Sequence, residues 1–174
     1  MRDGVNRSFH DAFVGLFQDH FQRLFRVIDR ASGDPELAED VVQESFIRLY
    51  RRGFLPDDPV AWLVSVAMNL MRNELSRRRR RMRLLTDARG EELLGDPPAA
   101  PVRTPDQEAL RRRVRAALDG VPERERALLL LRAEGYSYRE IARALKLNEA
   151  SIGTLLARAR RAFLQGYGEP DDAP

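Results

Sequence analysis

Residues 137–163 read SYREIARALKLNEASIGTLLARARRAF, and this stretch decides the fold class. Ser137 followed three residues later by Glu140 is a capping box, in which the two side chains satisfy backbone N–H groups at a helix start. The box opens a short helix with Ile141, Leu145 and Leu147 pointing inward. Asn148 can cap the next helix, which carries Ile152, Leu155 or Leu156, Ala159 and Phe163 on one face and runs to about Gln165. Two short amphipathic helices with a tight turn between them have the pattern of a helix-turn-helix. The outward face of the second holds Ala150, Gly153, Thr154, Ala157, Arg158 and Arg161. An αα-hairpin that only completes a bundle has the same spacing, but the two caps and the basic C-terminal end favour DNA.

Upstream, Thr104-Pro105-Asp106-Gln107 is another capping box, and the helix it opens ends at Gly120. Pro122 starts a further helix that stops at Gly135. Together with the last pair these helices form a small domain over residues 104–166. The stretch 84–103 loses apolar periodicity and contains Gly90, Gly95, Pro97, Pro98 and Pro101, so it reads as a flexible linker. Before it, three helices make a first domain over residues 8–83. The first begins near Ser8, with Phe9, Phe13, Leu16, Leu24 and Ile28 at helical spacing, and stops at Gly33. Asp34-Pro35 and Asp58-Pro59 are start signals for the second, to about Arg52, and the third, to about Arg81. The expected fold class is all-α, two small helical domains joined by a flexible linker, the second with the helix-turn-helix.

Composition agrees. The chain has 174 residues, 33% charged and 43% apolar, with few runs rich in β-branched or aromatic residues. The net charge is +3 and the pI about 9.8, carried almost entirely by arginine. That balance favours an anionic partner. The absence of cysteine excludes disulfides and thiolate metal sites. No apolar run approaches the ~20 residues of a membrane span, and Met1 to Arg7 lacks a signal-peptide core. The expected protein is cytoplasmic, without membrane insertion.

Two further segments carry function. The third helix has an expected apolar stripe of Leu63, Val66, Ala67 and Leu70, with Trp62 at its edge reading as a core tryptophan. Its opposite face carries Ser65, Asn69, Arg72, Asn73, Ser76 and Arg80 and runs into five consecutive arginines, Arg77 to Arg81. Amide and hydroxyl groups beside Phe54, in the preceding loop, suit unstacked bases. Five adjacent like charges repel one another, a cost that a phosphate partner relieves. The second helix instead presents Glu36, Asp40, Gln43 and Glu44 on one face, with Arg48 placed to pair with Glu44. An acidic-polar stripe in a basic protein points to a protein partner. His10 and His20 have no matched acid or nucleophile at useful spacing, and no phosphate loop or metal-ligand motif is present. Neither an enzyme, a cofactor, a metal nor a small-molecule substrate is expected. A stand-alone helix-turn-helix regulator explains the arginines but leaves the acidic stripe unexplained.

Three stretches in this order resemble a known family. AEDVVQESF at 38–46, followed by Ile47-Arg48, looks like the core-binding helix of bacterial sigma factors of the extracytoplasmic-function group. PVAWLVSVAMNLMRNELSRRRRR at 59–81 resembles their promoter-melting and −10-reading helix, and 118–163 resembles their −35-binding domain. The resemblance implies a factor that binds core RNA polymerase and promoter DNA, answers to an anti-sigma factor, and does no chemistry itself. It implies that Asp40, Gln43, Glu44 and Arg48 dock on the polymerase. Phe54, Ser65, Asn69, Arg72, Asn73, Arg77, Arg78 and Arg80 would then hold the −10 element. Glu149, Ser151, Gly153, Thr154, Arg158 and Arg161 would lie at the −35 element. Four positions depart from the family's usual residues. Gly153 and Leu155 stand where it commonly has basic residues, and Met68 and Asn73 where it has Arg and Asp.

Overall fold

Three apolar helix faces in the first half and four in the second each need a partner to bury them, and the chain answers with two units. In the computed structural model, which describes residues 2–89 and 104–168, these are Met1–Ala99 and Ala100–Pro174. All regular structure among the described residues is helical.

The first unit packs α1 (Arg2–Ser32), α2 (Pro35–Arg52) and α3 (Pro59–Arg89) mutually against one another. Its core is Leu24, Val27 and Ile28 of α1, Leu37, Val42, Phe46 and Leu49 of α2, and Leu63, Val64, Ala67, Met68 and Met71 of α3. The start of α2 follows the sequence reading. Asp34 Oδ1 accepts from the Leu37 N–H at 3.0 Å, with Pro35 in the first turn. Asp58 Oδ1 caps α3 in the same way, accepting from the Ala61 N–H at 3.0 Å. Gly53 ends α2 in the left-handed region, φ 75°, and its N–H returns to the Tyr50 carbonyl at 3.0 Å. That conformation suits glycine because it lacks a Cβ to strike the backbone.

Three expectations change. The first helix begins at Arg2, not near Ser8. The third continues past Arg81 to Arg89, into the stretch expected as linker. Every residue up to Gly90 tolerates a helix. The remainder of the expected linker, 90–103, lies outside the described residues. The buried stripe of α3 is also rotated. Leu63 and Ala67 are inside as expected, but Val64, Met68 and Met71 complete the face, and Val66 and Leu70 are only half-buried. Two helices pack on α3, and their combined cover selects that side.

The second unit comprises α4 (Pro105–Asp119), α5 (Glu123–Ala133), α6 (Tyr138–Leu145) and α7 (Ile152–Tyr167), with a 3₁₀ turn, Glu149–Ser151, before α7. α7 packs against the other three helices, and Leu118, Leu128, Leu131, Tyr136, Ile141, Ile152 and Ala159 fill the interior. The capping boxes Thr104/Gln107 and Ser137/Glu140 are both formed. Asn148 caps the 3₁₀ turn and not α7 itself, its Oδ1 accepting from the Ala150 N–H at 3.0 Å. Such a turn commonly precedes a helix because it tightens the unsatisfied first N–H groups. α7 also runs two residues beyond the expected Gln165. Leu145, Leu147, Leu155, Leu156 and Phe163 are half-buried, with the small Ala142 and Ala144 taking the tightest places.

Replacing Gly53 by alanine forces a Cβ into the left-handed region and is expected to destabilise the protein by about 1–2 kcal/mol. Urea unfolding of the variant against the parent measures that difference.

Candidate nucleic-acid and protein interfaces

Rotation of α3 about its own axis decides what it shows. With Val64, Met68 and Met71 inside, the opposite face presents Asn69, Arg72, Asn73, Ser76, Arg77 and Arg80 to solvent, and Ser65 is half-buried. The sequence-expected polar stripe is therefore assembled on one side. Asn69 Oδ1 accepts from the Arg72 guanidinium at 3.3 Å, which pre-orients both side chains along the helix. Met68, only 3% exposed, belongs to the core, so this position cannot present a polar group outward.

Phe54 stands in the α2–α3 loop with 57% of its surface exposed. Behind it the Arg52 guanidinium lies 4.3 Å from the ring centroid, and 5.9 Å from that of Trp62. Trp62 is half-buried and shares this cation with Phe54, so it is not the core tryptophan expected. Arg52 was not singled out in the sequence. The signal was there, a cation two residues before an aromatic across a helix-ending glycine.

Not every arginine of the 77–81 run faces outward alone. Arg78 reaches back 44 residues to Asp34, Nη1 to Oδ2 at 2.5 Å, and also lies 3.5 Å from Glu74. It ties the C-terminal half of α3 to the cap of α2. Burial raises the Asp34 carboxyl, but the backbone hydrogen bond from Leu37 and the Arg78 guanidinium outweigh it and hold the pKa below its usual value. Arg78 is held above its own, chiefly by the hydrogen bond to Asp34. Arg77 is 3.8 Å from Glu74, and Arg80 is exposed.

On α2, Asp40 and Gln43 are exposed, Glu44 is half-buried, and Arg48 Nε contacts Glu44 Oε1 at 2.7 Å. The expected pair is formed and offsets the Asp40–Glu44 repulsion. Gln43 also donates to Glu39 Oε1 at 3.0 Å. Beside this face the sequence reading missed an apolar groove of about 430 Å³, lined by Phe13, Phe17, Phe21, Phe46, Ile47 and Tyr50 together with Gln43 and Arg51. Phe13–Tyr50 and Phe17–Phe46 meet edge-on at 5.1 Å, a favoured aromatic geometry. Phe9, Phe13, Phe17 and Phe21 recur every four residues, and that spacing was the signal for it.

In the second unit Glu149, Ser151, Thr154 and Arg161 are exposed along the start and outer face of α7, and Gly153 is half-buried. A Cβ at Gly153 would meet only Tyr138 Cε2, at 3.8 Å, an ordinary contact. Packing therefore does not require glycine there. Arg158 is exposed but committed: Nη2 bonds Oε1 of Glu125 on α5, whose side chain is buried. A carboxylate taken out of water needs a cation, and α7 supplies it. Glu125 escaped the sequence reading because 33 residues separate the partners. Among the described residues no cluster of three His, Cys, Asp or Glu could hold a metal, and no helix is long and apolar enough to cross a membrane.

These pairs give two expected outcomes. Asn caps a helix as well as Asp does, so Asp34→Asn isolates the ion pair with Arg78. Because the folded carboxyl is lowered, its contribution is present at neutral pH and is lost as pH falls below about 3.8 through the folded value. Half-exposure of Arg78 limits the difference to about 0.5–1 kcal/mol; urea unfolding at pH 7 should show it, and the difference should shrink as the pH is lowered through the folded value. In the second unit, Arg158→Ala strands a buried carboxylate, whereas Glu125→Gln leaves only a solvated arginine. The first should cost about 2–3 kcal/mol and the second about 1, and adding Glu125→Gln to Arg158→Ala should recover much of the loss.

Residues 16–81 match sigma-70 region 2 and residues 111–163 match sigma-70 region 4. The ECF RNA polymerase sigma factor SigE of Mycolicibacterium smegmatis is 32% identical over 155 residues, covering 84% of this chain and 58% of SigE. The chain thus spans under two thirds of that relative's length. RNA polymerase sigma-H factor of Pseudomonas aeruginosa is 31% identical over 169 residues, covering 91% of this chain and 88% of the other. The sigma factor RpoE of Bartonella quintana, crystallised with the anti-sigma factor NepR, has a similar fold at 22% identity, TM-score 0.59, over 89% of this chain and 96% of that one. The chain belongs to the sigma-70 family of RNA polymerase sigma factors, in the extracytoplasmic-function group.

Proposed function

We propose that this chain is an initiation factor that binds core RNA polymerase, recognises promoter −10 and −35 elements, and traps melted DNA without doing chemistry itself. The observation that carries the reading is the division of surfaces. The region 2 match lies within the first unit, which holds the acidic-polar α2 face and the polar, arginine-ended α3 face; the region 4 match lies within the helix-turn-helix unit. A stand-alone regulator has no use for the first of these faces.

In this reading residues 8–83 form the polymerase- and −10-binding domain, 84–103 the linker, and 104–166 the −35-binding domain. Asp40, Gln43, Glu44 and Arg48 dock on the polymerase. Phe54, Ser65, Asn69, Arg72 and Asn73 take the separated −10 strand, whose unstacked bases offer ring faces and edges. Arg77 and Arg80 contact its phosphates, and Arg78 contributes through its hold on Asp34. Glu149, Ser151, Gly153, Thr154 and Arg161 face the −35 major groove, with Arg158 anchoring that helix. An anti-sigma factor covers one or both faces when the protein is silent, in the cytoplasm; the pairing of the Bartonella relative with NepR supports that partner.

The deciding experiment supplies core RNA polymerase and a promoter library with and without the protein. Transcription from a defined subset only when the protein is present is the expected result. Specific duplex retention by the protein alone, with no initiation, would establish the stand-alone regulator instead. At the −35 side, the outward face of α7 has few groups that read base edges, so phosphate contact and backbone approach dominate. Gly153→Lys has room beside Tyr138. It should tighten binding to −35 duplexes of any sequence and steepen the salt dependence by about one counterion; loss of binding would overturn this view of the groove face.

A further inference from the structure

We infer that Arg52 is a positioning residue that presents the Phe54 ring as a stacking platform for one unpaired base. The inference rests on the −10 reading above and extends it to a residue outside the DNA-facing set. Three observations carry it. Gly53, left-handed at φ 75°, ends α2 and turns the chain sharply between Arg52 and Phe54. The turn brings the Arg52 guanidinium over one face of the phenyl ring at 4.3 Å. The same cation lies 5.9 Å from the ring of Trp62, in the first turns of α3.

The consequence is geometric. A phenylalanine in a loop, 57% exposed, would ordinarily sample several rotamers. A planar cation on one face restrains the ring and leaves the other face to solvent. Trp62 lies three and seven residues before Ser65 and Asn69, so it occupies the head of the polar stripe of α3. Arg52 therefore couples the loop aromatic to the end of the stripe along which a separated strand would run. A base stacked on the open face of Phe54 adds a third layer to a preformed stack, and the ordering of the ring has already been met in the free protein.

The test uses the full chain assembled with core RNA polymerase and a fork-junction DNA from the promoter found by the transcription experiment. 2-Aminopurine is placed in turn at each non-template −10 position. Stacking of the probe on an aromatic ring quenches it, and titration gives affinity. Phe54→Ala should weaken binding about tenfold and abolish the quench at one position. Arg52→Ala should weaken it roughly threefold and reduce the quench at the same position. Arg52→Lys should resemble Arg52→Ala, because an ammonium keeps the charge but not the planar face. In the Phe54→Ala background Arg52→Ala should have no further effect, and the salt slope should not change.

If Arg52→Ala adds its full loss to Phe54→Ala and lowers the salt slope by about one, Arg52 is an independent phosphate contact and the inference fails. It fails also if Phe54→Ala alone is defective and Arg52→Ala is not. If Phe54→Ala changes neither affinity nor quench, the −10 assignment of Phe54 falls first, and the platform with it. Polymerase affinity and the thermal midpoint of each variant separate these outcomes from misfolding. Arg52 is exposed at the end of α2, so both measures should match the parent.

Discussion

Burial of one side of α3 under α1 and α2 is the constraint on which the first unit depends. Val64, Ala67, Met68 and Met71 are almost fully removed from water. The gain from that burial, about 25 cal/mol per Å² of apolar surface, far exceeds any surface ion pair in the unit. The amides and arginines of α3 are then left outside as a group, because a helix has only two sides to offer. α2 plays the same part in reverse, burying Val42, Phe46 and Leu49 and leaving Asp40, Gln43, Glu44 and Arg48 exposed or half-exposed. One packing event thus separates a polar, arginine-rich surface on α3 from an acidic-polar one on α2.

Arginine is abundant enough that its placement alone says little; the carboxylates decide what each one does. Asp34 holds Arg78, and Glu125 holds Arg158. Both arginines stand within stretches that resemble DNA-contacting segments, yet each has a structural duty. Arg78 ties the outgoing end of α3 to the turn between α1 and α2. Arg158 ties α7 to α5. In each case a positively charged side chain joins its helix to a neighbouring element of the same unit.

The helix-turn-helix, the caps and the division into two halves were legible because they depend on neighbours a few residues apart. Ser137 finds Glu140 within one turn, Asp34 finds Leu37, and Glu44 finds Arg48. The aromatic groove on α1 and α2 was half legible. The four-residue spacing of its phenylalanines is local, but its edge is completed by Ile47 and Tyr50, which stay exposed only because of how α2 is turned. The third helix shows the limit. Its stripe of Leu63, Val66, Ala67 and Leu70 is as regular as the face actually buried, and nothing local chooses between them.

The sequence by itself determined the all-α class, the starts of α2 to α6, the polar stripe of α3 and the family to which the chain belongs. These follow from periodicity, caps and motif order, all properties of short stretches. Tertiary structure alone decided which side of α3 is inside, that Trp62 shares a cation with Phe54, and that Arg78 and Arg158 are held by Asp34 and Glu125. The reason is physical. Helix rotation and ion pairing across 33 or 44 residues are set only when packed helices compete for the same buried area.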